Sequence, residues 1–225
     1  MTTLLVTGTD TGVGKTWIGR ALSHALVAAG RRVVAIKPVE TGCSEATARL
    51  EDGALLAAAT GQAEPGAALY RFPELLAPAL AADAAGEEPI DLDAMLLRLE
   101  ALSAGADVVL VEGVGGLLAP MTWEWTVVDL ARALGASALV VAVDRLGTIN
   151  HTLLTLGALE LAGLEVAGVV LTGPETPDPS TGTNAAAIAR LAGIDRVVTV
   201  PRRADPATAT REVQPVIEWI REPGA

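Results

Sequence analysis

The chain has 225 residues, 51% of them hydrophobic, which suffices for one well-buried core and is short for two, so a single domain over residues 1–225 is expected. A formal charge of −11, with no local Lys/Arg cluster, argues against nucleic-acid and anionic-membrane partners, and no charge-free apolar stretch approaches the roughly 18 residues that cross a bilayer. The lone cysteine, Cys43, excludes an intrachain disulfide, and an N-terminus that enters a strand without a basic leader and cleavage site reads as cytoplasmic.

The first apolar run, residues 4–7, leads into Gly8-Thr9-Asp10-Thr11-Gly12-Val13-Gly14-Lys15-Thr16 and then a helical stretch, 16–29. Glycines at 8, 12 and 14 let backbone N–H groups approach an anion, and the helix N-terminus near Lys15 adds partial positive charge. This is a phosphate cradle in which Lys15 reaches the β- and γ-phosphates and the Thr16 hydroxyl sits on Mg²⁺. It departs from the general P-loop pattern in one respect: the first glycine is Gly8, and Thr9 occupies the usual glycine position. A plain tight turn is the bland alternative. A nicotinamide loop is the sharper one, but the catalytic Tyr-x-x-x-Lys is missing, since the only tyrosine, Tyr70, is followed four residues later by Glu74. Lys37 also stands where a Rossmann site would carry its ribose-binding acid.

The second strand, 33–36, runs into Lys37-Pro38-Val39-Glu40-Thr41-Gly42, and a helix is expected over 53–59. The Ala-rich stretch 77–86 reads as a helix-and-turn connection, and helix 91–104 has Asp91 as its N-cap, with Ala94 leaving the capping box incomplete. The third strand, 108–111, ends in Glu112-Gly113-Val114-Gly115-Gly116, where a carboxylate beside an uncrowded loop would meet a magnesium ion; a solvated strand-end acid is the alternative. Trp123 and Trp125 read as packing or interface residues ahead of helix 127–134. The fourth strand, 139–143, precedes Leu146-Gly147-Thr148-Ile149-Asn150-His151 and helix 149–162, and His151 and His24 read as structural. The fifth strand, 166–171, precedes a Pro-rich segment, 173–182, at the carboxyl edge, then helix 184–192, strand 197–200 and helix 213–220. This alternation predicts an α/β fold: a P-loop NTPase-like parallel sheet with helices on both faces and a core of Ala, Leu and Val, because only 3% of residues are aromatic.

The four segments at Gly8–Thr16, Lys37-Pro38-Val39, Val111-Glu112-Gly113-Val114-Gly115-Gly116 and 146–151 together resemble the dethiobiotin synthetase family over nearly the full length. The resemblance implies a ligase of biotin biosynthesis, a homodimer that closes the ureido ring of 7,8-diaminopelargonate with CO₂, Mg²⁺ and ATP. One amine captures CO₂ as a carbamate, the carbamate attacks the γ-phosphate, and the second amine displaces phosphate. It implies catalytic roles for Lys37, Lys15 and Thr11, and nucleotide contacts from Thr11, Gly12, Val13, Gly14, Lys15, Thr16, Thr172 and Pro201. Metal ligands would be Thr16, Asp52 and Glu112, Asp52 otherwise being an N-cap for helix 53–59. Thr11, Lys37, Thr41, Gly115, Gly147, Thr148 and Asn150 would bind the substrate, its carboxylate meeting the helix N-terminus at Gly147 to Asn150 across the dimer interface. Asn184 falls near a further carboxylate-binding position. The asparagine that reads adenine at the end of the fifth strand is replaced within Leu171-Thr172-Gly173, which leaves CTP or another nucleoside triphosphate open beside ATP.

Two relatives of the fold compete. A partitioning or septum-positioning ATPase usually carries an additional lysine early in the loop and a basic or amphipathic partner surface; this chain has Thr9, Asp10 and an acidic balance. An amide-forming enzyme acting on a tetrapyrrole acid normally needs a glutaminase domain, for which 225 residues leave no room.

Overall fold

The computed structural model describes residues 1–86, 88, 90–202 and 205–221. Six parallel strands, β1 (Thr2–Gly8), β2 (Val33–Ile36), β5 (Val108–Glu112), β6 (Ser137–Val143), β7 (Val166–Thr172) and β8 (Val197–Val200), lie in the order β2-β5-β1-β6-β7-β8. A separate two-stranded parallel sheet pairs β3 (Val39–Thr41) with β4 (Tyr70–Phe72). The helices are α1 (Lys15–Ala28), α2 (Asp52–Thr60), α3 (Pro78–Ala85), α4 (Leu92–Ser103), α5 (Val127–Leu134), α6 (Thr148–Leu161), α7 (Asn184–Ala192) and α8 (Gln214–Arg221).

Strand side chains alternate between two cores, as a sheet covered on both faces requires. Leu4, Val6, Leu110 and Val141 pack with Ile18 and Leu22 of α1, Leu56 of α2 and Ile217 of α8. Leu5, Val109, Val111 and Val140 face the other way, against Met95 and Leu99 of α4, Leu130 of α5, Leu159 of α6 and Ile188 of α7. Each such fully buried aliphatic side chain contributes about 1.5–3 kcal/mol through removal from water. The free edge of β2 is satisfied by the Gln62 side-chain amide, which accepts from the Ala35 N–H (2.9 Å) and donates to the Ala35 carbonyl (3.0 Å).

Register explains where the chemistry collects. Ile36 lies opposite Val111 and Val6 opposite Glu112, so Lys37, Glu112 and the loop after β1 emerge together at the carboxyl edge of the sheet. All six predicted strands are present, as are the predicted helices, and stretch 77–86 forms α3 and its turn. Asp91 caps α4 by accepting from the Ala94 N–H at 2.9 Å. β3 and β4 were not expected. Each is three residues long with a charged central residue, too short for strand periodicity to register.

Candidate active site

The loop after β1 has Gly12 at φ 75° and Gly14 at φ 100°, the left-handed region that glycine enters without steric cost. It is anchored at one end by the Thr9 N–H donating to the Val141 carbonyl (3.0 Å) and propped from below by Thr172. The Thr172 hydroxyl, in a side chain only 2% exposed, lies 2.8 Å from the Val13 carbonyl and 3.2 Å from that of Ala142. Its methyl would sit 3.0 Å from a Cβ on Gly14. Lys15 folds back over the loop and donates to the Asp10 carbonyl at 3.0 Å. Burial, and then the neighbouring charge of Lys37, lower the Lys15 pKa to about 8.

Beside this loop, Lys37 donates to Glu112 Oε1 (2.6 Å), Asp52 Oδ2 (2.9 Å) and the Gly113 carbonyl (3.2 Å). The Thr16 hydroxyl donates to the same Glu112 oxygen at 2.9 Å. Burial penalises the Lys37 ammonium, but Glu112 and Asp52 outweigh that and hold its pKa above the ordinary lysine value. For Glu112 burial wins over the attraction of Lys37 and raises the carboxyl pKa. Asp52 is also penalised by burial, yet the charge and hydrogen bond of Lys37 keep its pKa below the usual carboxylate range.

Among the described residues, Glu112 Oε2 is buried without a hydrogen-bond partner. An acceptor left so is costly unless something fills its coordination. With the Thr16 hydroxyl and the Asp52 carboxylate it makes a hard-oxygen donor set that fits Mg²⁺. A second acidic group, Glu40, Cys43 and Glu51, converges within 4.8 Å but does not fit a cation. Glu40 accepts from the Asp52 and Gly53 amides, Glu51 is bound by Arg71 and by the Ser44 N–H, and burial pushes the Cys43 thiol up to about 11.

A cavity of about 760 Å³ joins these groups. Thr11, Gly12, Gly14, Lys15 and Thr16 line it with Lys37, Thr41, Asp52, Glu112 and Gly115. Val13 is buried beneath the loop, Thr172 props it as described, and Pro201 is exposed at the end of β8; none of the three lines the cavity. Gly147, Thr148 and Asn150 also lie outside it, at the start of α6, where Thr148 is buried and Asn150 exposed. Asn184 is committed elsewhere: its amide donates to Asp144 (2.7 Å) and to the Ser180 carbonyl (3.0 Å). Asp52 begins α2 itself, and its carboxylate faces Lys37, so it is not an N-cap for a helix starting at Gly53. Trp123 ties its loop to α3 through a 3.1 Å hydrogen bond to Asp83. Arg20, Glu40 and Arg202 also line the cavity and were not singled out from sequence; Glu40 alone stood inside a quoted motif.

Residues 2–210 match the AAA domain family. The ATP-dependent dethiobiotin synthetase BioD of Anaeromyxobacter dehalogenans (strain 2CP-C) is 46% identical over 218 residues, 95% of this chain and 96% of that protein. The enzyme of the same name from Rhodococcus jostii (strain RHA1) is 42% identical over 204 residues, 89% of this chain and 87% of that one. Among solved structures, the cell division ATPase MinD of Pyrococcus furiosus superposes with a TM-score of 0.57 over 98% of this chain and 99% of that chain, at 16% identity. That likeness shows a common P-loop fold, and the sequence relatives resolve which branch of it this is. With 46% and 42% identity over most of both chains, and with the glycine-rich loop, the second lysine and the paired carboxylates on one cavity, the chain belongs to the ATP-dependent dethiobiotin synthetase family.

Proposed function

We propose that the protein closes the ureido ring of dethiobiotin from 7,8-diaminopelargonate, CO₂ and ATP. The observation that carries this reading is a second buried lysine, Lys37, facing the same cavity as the phosphate-loop lysine. Lys15 in the loop serves the phosphates, whereas Lys37 comes from the end of β2 and not from the loop, where switching ATPases carry their additional lysine. A carbamate attacking a γ-phosphate brings two anions together, and each charge-assisted hydrogen bond from Lys15 or Lys37 contributes about 1.5–3 kcal/mol to holding them.

In this reading one substrate amine adds to CO₂ and releases a proton, and the nearby lysines favour the neutral, nucleophilic amine. The carbamate oxygen attacks the γ-phosphorus and ADP leaves. The second amine attacks the carbamoyl carbon, phosphate departs and the ring closes with loss of a further proton. Thr11 and Thr41 orient the amine or carbamate by hydroxyl contacts. Thr16, Asp52 and Glu112 would hold Mg²⁺, which when bound neutralises charge on the β- and γ-oxygens. Residue 172 is a threonine, which has no side-chain amide to offer adenine, and its hydroxyl is engaged with the Val13 and Ala142 carbonyls. CTP and GTP are therefore compared directly with ATP in the test below.

A homodimer completes the proposed site. Gly147, Thr148 and Asn150 stand outside the cavity of their own chain, while Leu146 and Leu154 beside them are 81% and 66% exposed, an apolar surface suited to burial against a second copy that receives the substrate carboxylate at the α6 N-terminus. No described helix is long and apolar enough to cross a membrane. The deciding experiment measures phosphate release with each triphosphate, with and without the diamine and bicarbonate, in wild type and Lys37→Gln. Release independent of the diamine, or an unimpaired variant, would overturn the proposal.

A further inference from the structure

We propose that Glu40 is a positioning residue that sets the place of Asp52 in the cation site, acting through the first turn of α2. The inference rests on Asp52 being a metal ligand, as read above.

Helix α2 lacks a cap of its own. Its N-cap residue, Glu51, makes no side-chain capping hydrogen bond, because the Glu51 carboxylate is held by Arg71 at 2.7 and 2.9 Å and by the Ser44 N–H at 3.0 Å. The orphan amides are served from a distant element instead. Glu40 Oε1 accepts from the Asp52 N–H at 2.5 Å, and Oε2 accepts from the Gly53 N–H at 3.0 Å. Two oxygens on two successive amides fix the helix start in both position and direction, and a carboxylate there also suits the helix dipole. The opposite side is bounded too: a Cβ on Gly53 would lie 2.3 Å from the Ala68 nitrogen, so the first turn of α2 is pressed against the backbone at 67–68.

The consequence is local and specific. Asp52 is the very residue whose N–H Glu40 grips, and its side chain then reaches Lys37 at 2.9 Å. Lys37 precedes β3 and Glu40 lies within it, so one short segment presents the ammonium and also places the carboxylate opposite it. Both Glu40 oxygens are engaged with the first backbone amides of α2, so Glu40 acts through the placement of Asp52.

The test uses the full-length protein with ADP and Mn²⁺ as a spectroscopic stand-in for Mg²⁺, following bound Mn²⁺ by electron paramagnetic resonance. Glu40→Gln keeps the size but puts an amide N–H₂ against a backbone N–H, and Glu40→Asp keeps the charge but shortens the reach. Both are expected to weaken Mn²⁺ binding to the ADP complex by about 10- to 100-fold, the usual cost of losing a residue that orients a ligand, with metal-free ADP affinity within about twofold of wild type. In an Asp52→Asn background, Glu40→Gln should add nothing beyond about twofold, because its route to the metal is already cut. Wild-type Mn²⁺ affinity in Glu40→Asp would overturn the proposal, since charge alone would then suffice, and so would additive losses in the double variant. If Asp52→Asn by itself leaves Mn²⁺ binding unchanged, it is the assignment of Asp52 as a ligand that fails, and Glu40 with it.

Discussion

Replacing Lys37 by Gln should make the stability of the protein depend steeply on pH. Lys37 is the counter-charge of Glu112, a carboxylate only 2% exposed, and Asp52 can rehydrate because its side chain is 38% exposed. Removing one partner of a buried pair costs about 3–5 kcal/mol when the other stays charged. Glu112 has a cheaper route, protonation. For a carboxyl of ordinary pKa 4.5 that costs about 1.4 kcal/mol per pH unit, hence about 3.4 kcal/mol at pH 7 and about 1.4 kcal/mol at pH 5.5. The variant should thus be less stable than wild type by roughly 3 kcal/mol at pH 7, or roughly 6–12 °C in Tm, with the deficit about halved at pH 5.5. The sign follows from linkage: in the variant the Glu112 pKa rises far above its unfolded value, so the folded state carries an extra proton and loses stability as pH rises above 4.5. In wild type the raised Glu112 is opposed by Asp52, whose lowered pKa adds stability that is lost as pH falls, so the profile is flatter. Urea denaturation of both proteins from pH 5.5 to 8, in EDTA, measures this directly. A variant equal to wild type at pH 7, or a deficit that ignores pH, would refute the buried-pair reasoning.

Lys15 titrates near pH 8, so ADP affinity measured without metal should decline above that pH, and binding at pH 8.5 should take up protons, detectable by calorimetry in buffers of different ionisation enthalpy; proton-neutral binding would contradict it. Thr172→Val removes a buried hydroxyl without changing shape and should cost about 1–2 kcal/mol, lowering Tm by a few degrees while weakening ADP binding through a looser loop. Gly14→Ala forces a left-handed residue, at about 1–2 kcal/mol, against the Thr172 methyl and should abolish ADP binding in a fluorescence titration. Gly30→Ala, also at positive φ but in open space, should lose stability alone and bind ADP normally. If the proposed homodimer forms through the α6 N-terminus, Leu146→Glu should shift sedimentation velocity from dimer to monomer, with diamine turnover lost and ADP binding kept.

Much of the candidate site is legible in the sequence because its signals are local. The Gly8 to Thr16 run is contiguous, Lys37 and Glu112 each follow an apolar strand, and a parallel sheet delivers all such strand ends to one edge. Asp52 has no such local signal: it sits 15 residues beyond Lys37, across a loop whose path is set by Arg71 and Glu40, side chains that no periodicity marks. Thr172 could be recognised from sequence as a missing asparagine, but its engagement with Val13, 159 residues away, could not.

Composition, strand spacing and the glycine-lysine-threonine loop thus determined the layered α/β fold and its phosphate chemistry, because backbone propensity and hydrophobic alternation act over a few residues. Which carboxylates meet which lysine, which acceptor stays unpaired and which acid caps α2 were decided by tertiary packing. Those depend on desolvation and on distances of about 3 Å between residues far apart in the chain, quantities that exist only once the sheet has brought its strand ends together.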